Sequence, residues 1–348
     1  MFLSSSRMNK NRRKLFLAVV ILALLFVIPG KKSFGLERES PLFWPPPPAE
    51  MRVTFVQSIY SPRDVGIKPT FFKRIKKFIS GEERDLLSRP VAVAVDNQGT
   101  IYVCDPGVPA VHIFDQKKKQ YKTISTVDRQ ALASPVGVAA DPSGLIFISD
   151  SKLKKVFCLD KNNRLQFTLG EDNTFLRPTG LTLNDGRLYV VDTAAHCVVI
   201  YDLKGRLIGQ FGKRGKKEGE FNYPTSITCD KNGNIYVTDT LNFRIQVFDK
   251  NNKFLYDIGQ LGDSSGSFSR PKGVAVDSFG HVYSTDSLFD NVQIFSSKKE
   301  FLLSLGESGH KSGEFWIISG IAIDDKDYIY VADSYNQRLQ IFRYIGKE

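Results

Sequence analysis

Six aspartates recur at regular spacing through the C-terminal three quarters of the chain. Each one ends a short apolar run, such as Ile235–Asp239 (IYVTD). They are Asp105, Asp150, Asp192, Asp239, Asp286 and Asp333. A ring of carboxylates on one side of a molecule could hold a cation such as Ca²⁺. Recurrence in every copy favours the alternative, in which each aspartate caps its own loop by accepting backbone N–H bonds.

Histidine and cysteine could also do chemistry, but their spacing favours neither a metal site nor a redox motif. The histidines are His112, His196, His281 and His310, and no two share a position in the repeat. The cysteines are Cys104, Cys158, Cys197 and Cys229, each in a different repeat and without a Cys-x-x-Cys pair. This cysteine spacing does not match the motifs for zinc binding, haem attachment or redox chemistry. We therefore expect buried single thiols, with disulfides as the alternative, and we predict no metal and no cofactor.

The net charge of +11 over 348 residues would suit a nucleic-acid or anionic-membrane partner if it were spread over the whole chain. Residues 1–50 and 51–89 each carry +5, whereas residues 90–348 carry only +1. A nucleic-acid-binding body would carry its own positive excess, because phosphate contacts supply much of the affinity. We therefore predict no nucleic-acid partner.

Residues 1–35 are predicted to be a signal peptide or a signal anchor. A basic stretch, Arg7–Lys14, precedes the apolar run Leu15–Ile28. A helix over that run would be roughly 21 Å long, which is short for a hydrocarbon core of about 30 Å and typical of a signal segment. More basic residues precede the run than follow it, which keeps the N-terminus in the cytoplasm. We expect a membrane anchor with the body on the periplasmic side; the alternative is cleavage after Gly35 and secretion.

Two further segments lie before the repeats. Residues 36–50 contain Pro45–Pro48, which predicts a stiff polyproline II spacer. Residues 51–88 contain the alternating stretch Met51–Ile59, which predicts a strand, and Phe71–Ile79, which predicts a short amphipathic helix. The basic side of that helix carries Lys73, Arg74, Lys76 and Lys77. These cations either face solvent from a helix packed on the body or contact anionic lipid headgroups.

Residues 89–348 contain six copies of one pattern, which is clear when Arg89–Asp96 (RPVAVAVD) is set beside Arg270–Asp277 (RPKGVAVD). The copies begin at Pro90, Pro135, Pro178, Pro224, Pro271 and, without the proline, near Ile318. In five copies a first strand ending in Asp is followed by a turn, and in the third copy Asn184-Asp185-Gly186 forms a shorter, tight turn instead. In all six copies a second strand then ends in one of the six aspartates. A third strand, a polar turn and a fourth strand complete the copy.

Four short antiparallel strands in 40–50 residues are typical of a propeller blade. A lone blade cannot bury both of its faces, so blades stack in a ring. We predict an all-β, six-bladed β-propeller over residues 89–348, monomeric in solution. The sixth copy lacks a fourth strand, and we predict that residues 51–59 pair with it and close the ring.

The copies resemble the NHL repeat. Its hallmarks are present in Tyr236–Phe248 (YVTDTLNFRIQVF) and Tyr330–Phe342 (YVADSYNQRLQIF), and in the Gly-rich links Gly212–Phe221, Gly259–Phe268 and Gly306–Phe315. The export segment and the Trp-Pro-rich stretch also resemble those of bacterial envelope NHL proteins. The resemblance implies the fold, and propellers host binding modules and enzymes alike.

The Asn and Arg of the NHL motif occur together only in copies four and six, so a role tied to Arg244 or Arg338 does not extend to the other blades. Their Arg position holds Ala110, Lys155, Cys197 and Asn291. Arg244 and Arg338 join the six aspartates as candidate binding residues. Two lysine-rich loop clusters are expected on the same face, as a patch for an acidic partner or as solvated charge. They are Lys152, Lys154 and Lys155, and Lys213, Arg214, Lys216 and Lys217.

We expect a non-enzymatic protein- or ligand-binding scaffold, displayed outside the cytoplasmic membrane, with an envelope protein as its partner. The alternative is a metal-dependent enzyme, amidating-lyase-like or a hydrolase, with its site at the central channel. Zinc-dependent amidating lyases with similar propellers imply histidine ligands that converge on the channel, a set that the four histidines here do not match. Only this alternative requires Zn or Ca.

Overall fold

The structure, a computed structural model, describes residues 41–68, 86–171 and 174–346. Their six large antiparallel sheets, one for each repeat, confirm the all-β six-bladed propeller. The predicted signal segment over 1–35 and the predicted helix over 71–79, with Lys73, Arg74, Lys76 and Lys77, lie outside the described residues. Within the described residues no helix has the length and apolar character needed to cross a membrane.

Each blade has four main strands, numbered here from the channel outwards, and the sheet of blade six has a short fifth strand at its outer edge. The first strands are Ala92–Val95, Pro135–Ala140, Pro178–Asn184, Pro224–Cys229, Pro271–Val276 and Ile318–Ile323. The second strands are Ile101–Asp105, Ile146–Asp150, Arg187–Asp192, Ile235–Asp239, Val282–Asp286 and Tyr328–Asp333. The third strands are Ala110–Asp115, Lys155–Leu159, Cys197–Asp202, Arg244–Phe248, Asn291–Phe295 and Arg338–Tyr344. The fourth strands are Gln120–Ile124, Leu165–Leu169, Leu207–Phe211, Phe254–Ile258, Phe301–Leu305 and, in blade six, Val53–Ile59.

Burial explains the sequence of each strand. The second strands are buried on both faces between neighbouring blades, so they consist of nearly continuous apolar residues such as Ile101–Asp105 (IYVCD). The fourth strands lie at the rim and alternate between buried and exposed residues, as in Phe254–Ile258. Two further elements occur in the loops: a ribbon of Thr126–Val127 with Gln130–Ala131, and the 3₁₀ turn Thr240–Asn242.

The turns between first and second strands are held by their own aspartates. In blade one, Asp96 Oδ1 accepts the N–H of Gln98 at 2.9 Å and of Thr100 at 2.8 Å. In blade three the turn is one residue shorter, and Asp185 and Gly186 both have positive φ values, +48° and +69°. A tight hairpin of this mirror-image type requires that conformation, which the Asp-Gly sequence supplies.

Blade six is completed from the N-terminal side. Val53–Ile59 pairs antiparallel with Arg338–Tyr344, and Val53 and Ile59 are fully buried. The 3₁₀ turn Pro62–Val65 follows the strand. That this strand holds the ring together remains a prediction.

The extended spacer predicted for residues 36–50 is corrected for the described part, residues 41–50. Phe43–Trp44 forms a short strand that pairs with Val53 and Thr54. The Trp44 ring packs on Phe342 with centroids 5.6 Å apart. Burying the aromatic ring of Trp44 against Phe342 is more favourable than leaving the ring in water. The chain therefore reverses at the prolines and returns as the next strand instead of extending away.

The blades form a ring in which the first follows the sixth. Thr193 and Thr240 each follow a second-strand aspartate and donate a hydroxyl hydrogen bond to the proline that begins the next blade, Pro224 at 2.6 Å and Pro271 at 2.9 Å. Ser334 of blade six makes the same bond to Pro90 of blade one at 2.6 Å.

Antiparallel connectivity divides the loops between two faces. The loops after the second strands and the links between blades share one face, called the link face here. The turns between first and second strands and between third and fourth strands share the other, called the turn face.

Candidate binding face

The six aspartates predicted as a ring lie beneath the link face, and at most 1 % of each is exposed. Asp286 is typical: its carboxylate accepts the backbone N–H groups of Ser269 and Arg270 in the incoming link, and of Leu288 and Phe289 in the loop after its strand. Asp105 and Asp150 bind backbone N–H groups in the same way. This geometry supports the capping alternative, because the carboxylate oxygens are already engaged by donors.

In blades four and six the aspartate is also bound by side chains, which are those of the NHL motif. Asp333 accepts from Arg338 Nε at 2.7 Å, from Asn336 Nδ2 at 2.9 Å and from Gln340 Nε2 at 3.1 Å. Nη2 of Arg338 donates to the carbonyls of Lys311 and Glu314 in the link, at 2.7 and 2.8 Å, and Nη1 donates to the Tyr60 hydroxyl at 3.0 Å. Arg338 is 1 % exposed. It therefore fastens the link to the blade.

Blade four repeats this network with more solvent access. Arg244 Nε donates to Asp239 at 3.1 Å, and its other nitrogens reach Asp257 and the link carbonyl of Lys217. The side chain of Arg244 is 12 % exposed, against 2 % for Arg338. Burial raises the pKa of the Asp239 and Asp333 carboxyls, and the hydrogen bonds from their Asn and Arg partners act in the opposite direction.

The cysteines and histidines do not assemble into a reactive site. All four cysteines are free, and burial raises the pKa of Cys158 to about 12 and of Cys197 to about 11, which keeps these thiols protonated. His281 lies in a turn on the opposite face from His196 and His310, and His112 lies inside a strand. In the part of the chain that the structure describes, no group of three His, Cys, Asp or Glu side chains could hold a metal ion.

The central channel is lined by the six first strands and has a volume of about 440 Å³. Its lining consists of apolar, small and hydroxyl-bearing residues together with two cations, Arg177 and Lys272. Neither a carboxylate nor a histidine lines it among the described residues.

A second cavity, of about 250 Å³, opens on the link face beside the channel between blades three, four and five. Three cations line it: Arg177, Arg270 and Lys272. None of them forms an ion pair or a side-chain hydrogen bond with another described residue. The sequence interpretation missed this cluster. The signal was present, since Arg177 and Arg270 both stand directly before the proline that begins a first strand.

The link face also exposes apolar residues. Nine large apolar side chains on it are 39–65 % exposed: Val108, Leu176, Tyr223, Leu241, Leu261, Leu288, Trp316, Ile317 and Tyr335. On blade six, the rings of Trp316 and Tyr335 are tilted against each other with centroids 5.5 Å apart, and Trp316 lies edge-on to His310 at 5.1 Å. The lysine clusters at 152–155 and 213–217 lie on this face as predicted from the connectivity, with Lys213 paired to Glu220 at 3.5 Å.

The family model of the NHL repeat matches residues 175–201, 221–248 and 315–342, which lie in blades three, four and six. The six-bladed ring extends the same pattern to the other three blades. The chain is an NHL-repeat β-propeller.

Solved structures similar to this NHL propeller include both enzymes and binding proteins. Virginiamycin B lyase from Staphylococcus aureus matches with a TM-score of 0.57 and 11 % identity, over 85 % of this chain and 100 % of the other. An auxiliary nutrient binding protein from Bacteroides thetaiotaomicron matches with a TM-score of 0.58 and 13 % identity, over 74 % and 69 %. A chain of the nidogen/laminin complex matches at 0.51 and 19 % identity, over 67 % and 84 %. At these identities the likeness shows the fold alone.

Proposed function

We propose that this protein is a non-enzymatic binding scaffold that holds an acidic protein partner on its link face. The observation that carries the proposal is the concentration of exposed apolar side chains on that face. On blade six, Trp316 and Tyr335 are in contact, and a patch of adjacent exposed apolar side chains is typical of an interaction site. Large aromatic residues such as Trp316 and Tyr335 are the side chains that most often dominate binding energy.

The expected partner is acidic because two clusters of unpaired cations lie on the same face as these apolar residues. Lys152, Lys154, Arg214, Lys216 and Lys217 are exposed and form no ion pair with another described residue. An acidic partner would gain association rate and specificity from them, and its binding would weaken with added salt.

The partner is expected in the cell envelope. This part of the proposal rests on the sequence: the basic and apolar stretches of residues 1–35 resemble an export signal or anchor, which would display the propeller outside the cytoplasmic membrane. The similarity to a nutrient binding protein agrees with a binding role, and the similarity to a lyase keeps the fold compatible with enzymes.

A metal-dependent enzyme with its site at the channel was the alternative from the sequence. Such a site needs carboxylate or imidazole ligands directed at the channel. The described residues that line the channel supply apolar, hydroxyl and cationic side chains instead, so the geometry favours the scaffold.

The test is crosslinking capture of the tagged full chain from native membranes, repeated with matched variants on the two faces. Trp316→Ala tests the link face, and Phe279→Ala is the control because Phe279 is an exposed ring in a turn on the opposite face. We expect the same partner with the wild type and with Phe279→Ala, and its loss with Trp316→Ala. The proposal is contradicted if Trp316→Ala captures the partner as well as the wild type does, or if Phe279→Ala loses it.

A further inference from the structure

We propose that the cavity between blades three, four and five is a binding site for an oxyanion, either a carboxylate or a phosphate. It is defined by Arg177, Arg270 and Lys272 and is called the cationic pocket here. The proposal goes beyond the scaffold function, because the pocket would bind a free anion even in a chain that met no protein partner.

The first argument is the charge of the pocket. Three cations line one cavity of about 250 Å³, and the described lining contains no acidic residue. Like charges held together raise the free energy of the folded protein unless an anion neutralises them. The six aspartates cannot do this, because they are buried and bound by backbone N–H groups and by the Asn and Arg side chains of the NHL motif.

The second argument is the surroundings of Lys272. Its side chain is partly buried at the start of a first strand, where the other blades place Val91, Val136, Thr179, Thr225 and Ser319. Burial lowers the pKa of Lys272, and Arg270 and Arg177 lower it further. The other titratable side chain in the described lining of the pocket is Tyr223, from blade four. The charged form of a lysine in such a position is unfavourable without an anion, and a bound anion would stabilise it.

The third argument is that the walls of the pocket are already organised. Thr193 bonds Thr179 at 2.7 Å and Pro224 of the next blade, and Thr240 bonds Thr225 at 2.8 Å and Pro271 of the next blade. These hydroxyls are occupied in joining the three blades. The cations remain as the available donors on a fixed wall, and a fixed site loses little conformational entropy on binding.

Geometry and size select the class of ligand. Two guanidinium groups and one ammonium group suit the planar or tetrahedral oxygens of carboxylate and phosphate, which Arg binds with paired N–H donors. Pockets for drug-sized molecules are generally about 300–1,000 Å³. At about 250 Å³, the cationic pocket suits a small anion or the acidic group of a larger ligand. Its source is either a free small molecule or an acidic side chain of a bound polypeptide.

Titration calorimetry of the full chain at low ionic strength tests the proposal. The probes are inorganic phosphate, citrate and a short Asp/Glu peptide, which separate a free anion from a polypeptide carboxylate. We expect saturable 1:1 binding of at least one probe, and at least tenfold weaker binding by Lys272→Met combined with Arg270→Gln. The matched control is Lys161→Met combined with Arg164→Gln, which removes the same charge from an exposed turn on the turn face, away from both the pocket and the link face. Absence of saturable binding, or equal weakening by both pairs, overturns the proposal.

A stability measurement guards against a variant that merely fails to fold. Without anion, Lys272→Met is expected to melt at or above the wild-type temperature, because it removes a desolvated charge between two arginines. With a binding anion, the wild type is expected to gain several degrees and Lys272→Met to gain less. If Lys272→Met melts well below the wild type without anion and both gain equally, Lys272 has a structural role and the proposal is wrong.

The pH dependence is specific to Lys272. The ammonium is present below its lowered pKa and is lost as pH rises through it, while the two arginines stay charged. Binding to the wild type should therefore weaken as pH rises through the lowered pKa of Lys272, and Lys272→Met should show no such step. A step of equal size in the variant contradicts the assignment.

Discussion

The two faces of the propeller satisfy their polar groups in opposite ways. On the turn face most turn aspartates bond within their own turn: Asp249 Oδ1 accepts the N–H groups of Asn251 and Lys253, two and four residues along the chain. Bonds between turns also occur there, as from Ser278 of blade five to Asp327 of blade six. On the link face the bonds cross longer distances, as from Asp286 to Ser269 and from Arg338 to Lys311. The turn face is thus stabilised mostly locally, whereas the link face depends on the folded blade.

The faces also differ in what they expose. Of the large apolar side chains that are exposed in the described residues, Phe279, Met51 and Ile345 lie at the turn-face ends of strands, whereas nine lie on the link face. Buried hydrogen bonds beneath a loop fix its conformation. The loop can then keep apolar and unpaired cationic side chains exposed to solvent. The difference teaches that the buried aspartates support the binding face and do not form it.

The largest expected effect comes from breaking a link-face network. Arg338→Met leaves the buried Asp333 carboxylate without its ion-pair partner, and removing one member of a buried pair costs about 3–5 kcal/mol of unfolding free energy. Arg244→Met is the matched variant; because Arg244 is more exposed, its loss should cost less. Urea unfolding measures both. If both variants lost equally little unfolding free energy, the link-face networks would not be more important for stability than the turns.

An intermediate effect is expected on partner binding. Trp316→Ala should weaken binding of the captured partner by about 2 kcal/mol, or roughly thirtyfold, as for a buried aromatic anchor. Phe279→Ala, with 40 % of the residue exposed against 44 % for Trp316, should change it by less than a factor of two. Surface plasmon resonance with the purified partner measures both constants. A greater loss from Phe279→Ala would assign binding to the turn face.

The smallest effect is expected from a turn-face aspartate. Asp249→Ala removes two hydrogen bonds of a partly exposed turn, which should cost about 1 kcal/mol because water can replace the lost partner. Asp286→Ala on the link face should cost more, because it removes a fully buried carboxylate that holds the N–H groups of Ser269 and Arg270 in the incoming link. Thermal unfolding of the pair compares them directly. Identical melting temperatures would show that the two faces do not differ in this respect.

Much of the fold follows from the sequence because its signals are local. The Asp-x-x-Gly turns, the apolar second strands and the 43–47-residue spacing each act within one blade, and a blade cannot be buried alone, so six copies imply a ring. The Asp-Gly pair at 185–186 defined its turn in the same way. Residues 41–50 were interpreted wrongly because the packing of Trp44 on Phe342 joins distant parts of the chain.

The candidate site was harder to predict, since its residues come from different blades. The sequence alone determined six aspartates with one shared role and a propeller with little net charge. Only the tertiary structure decided that those carboxylates are buried and bound, and that Arg177 of blade three meets Arg270 and Lys272 of blade five in one cavity. The physical reason is the ring: it brings the starts of separate first strands to one channel mouth, where charges far apart in the chain lie close together.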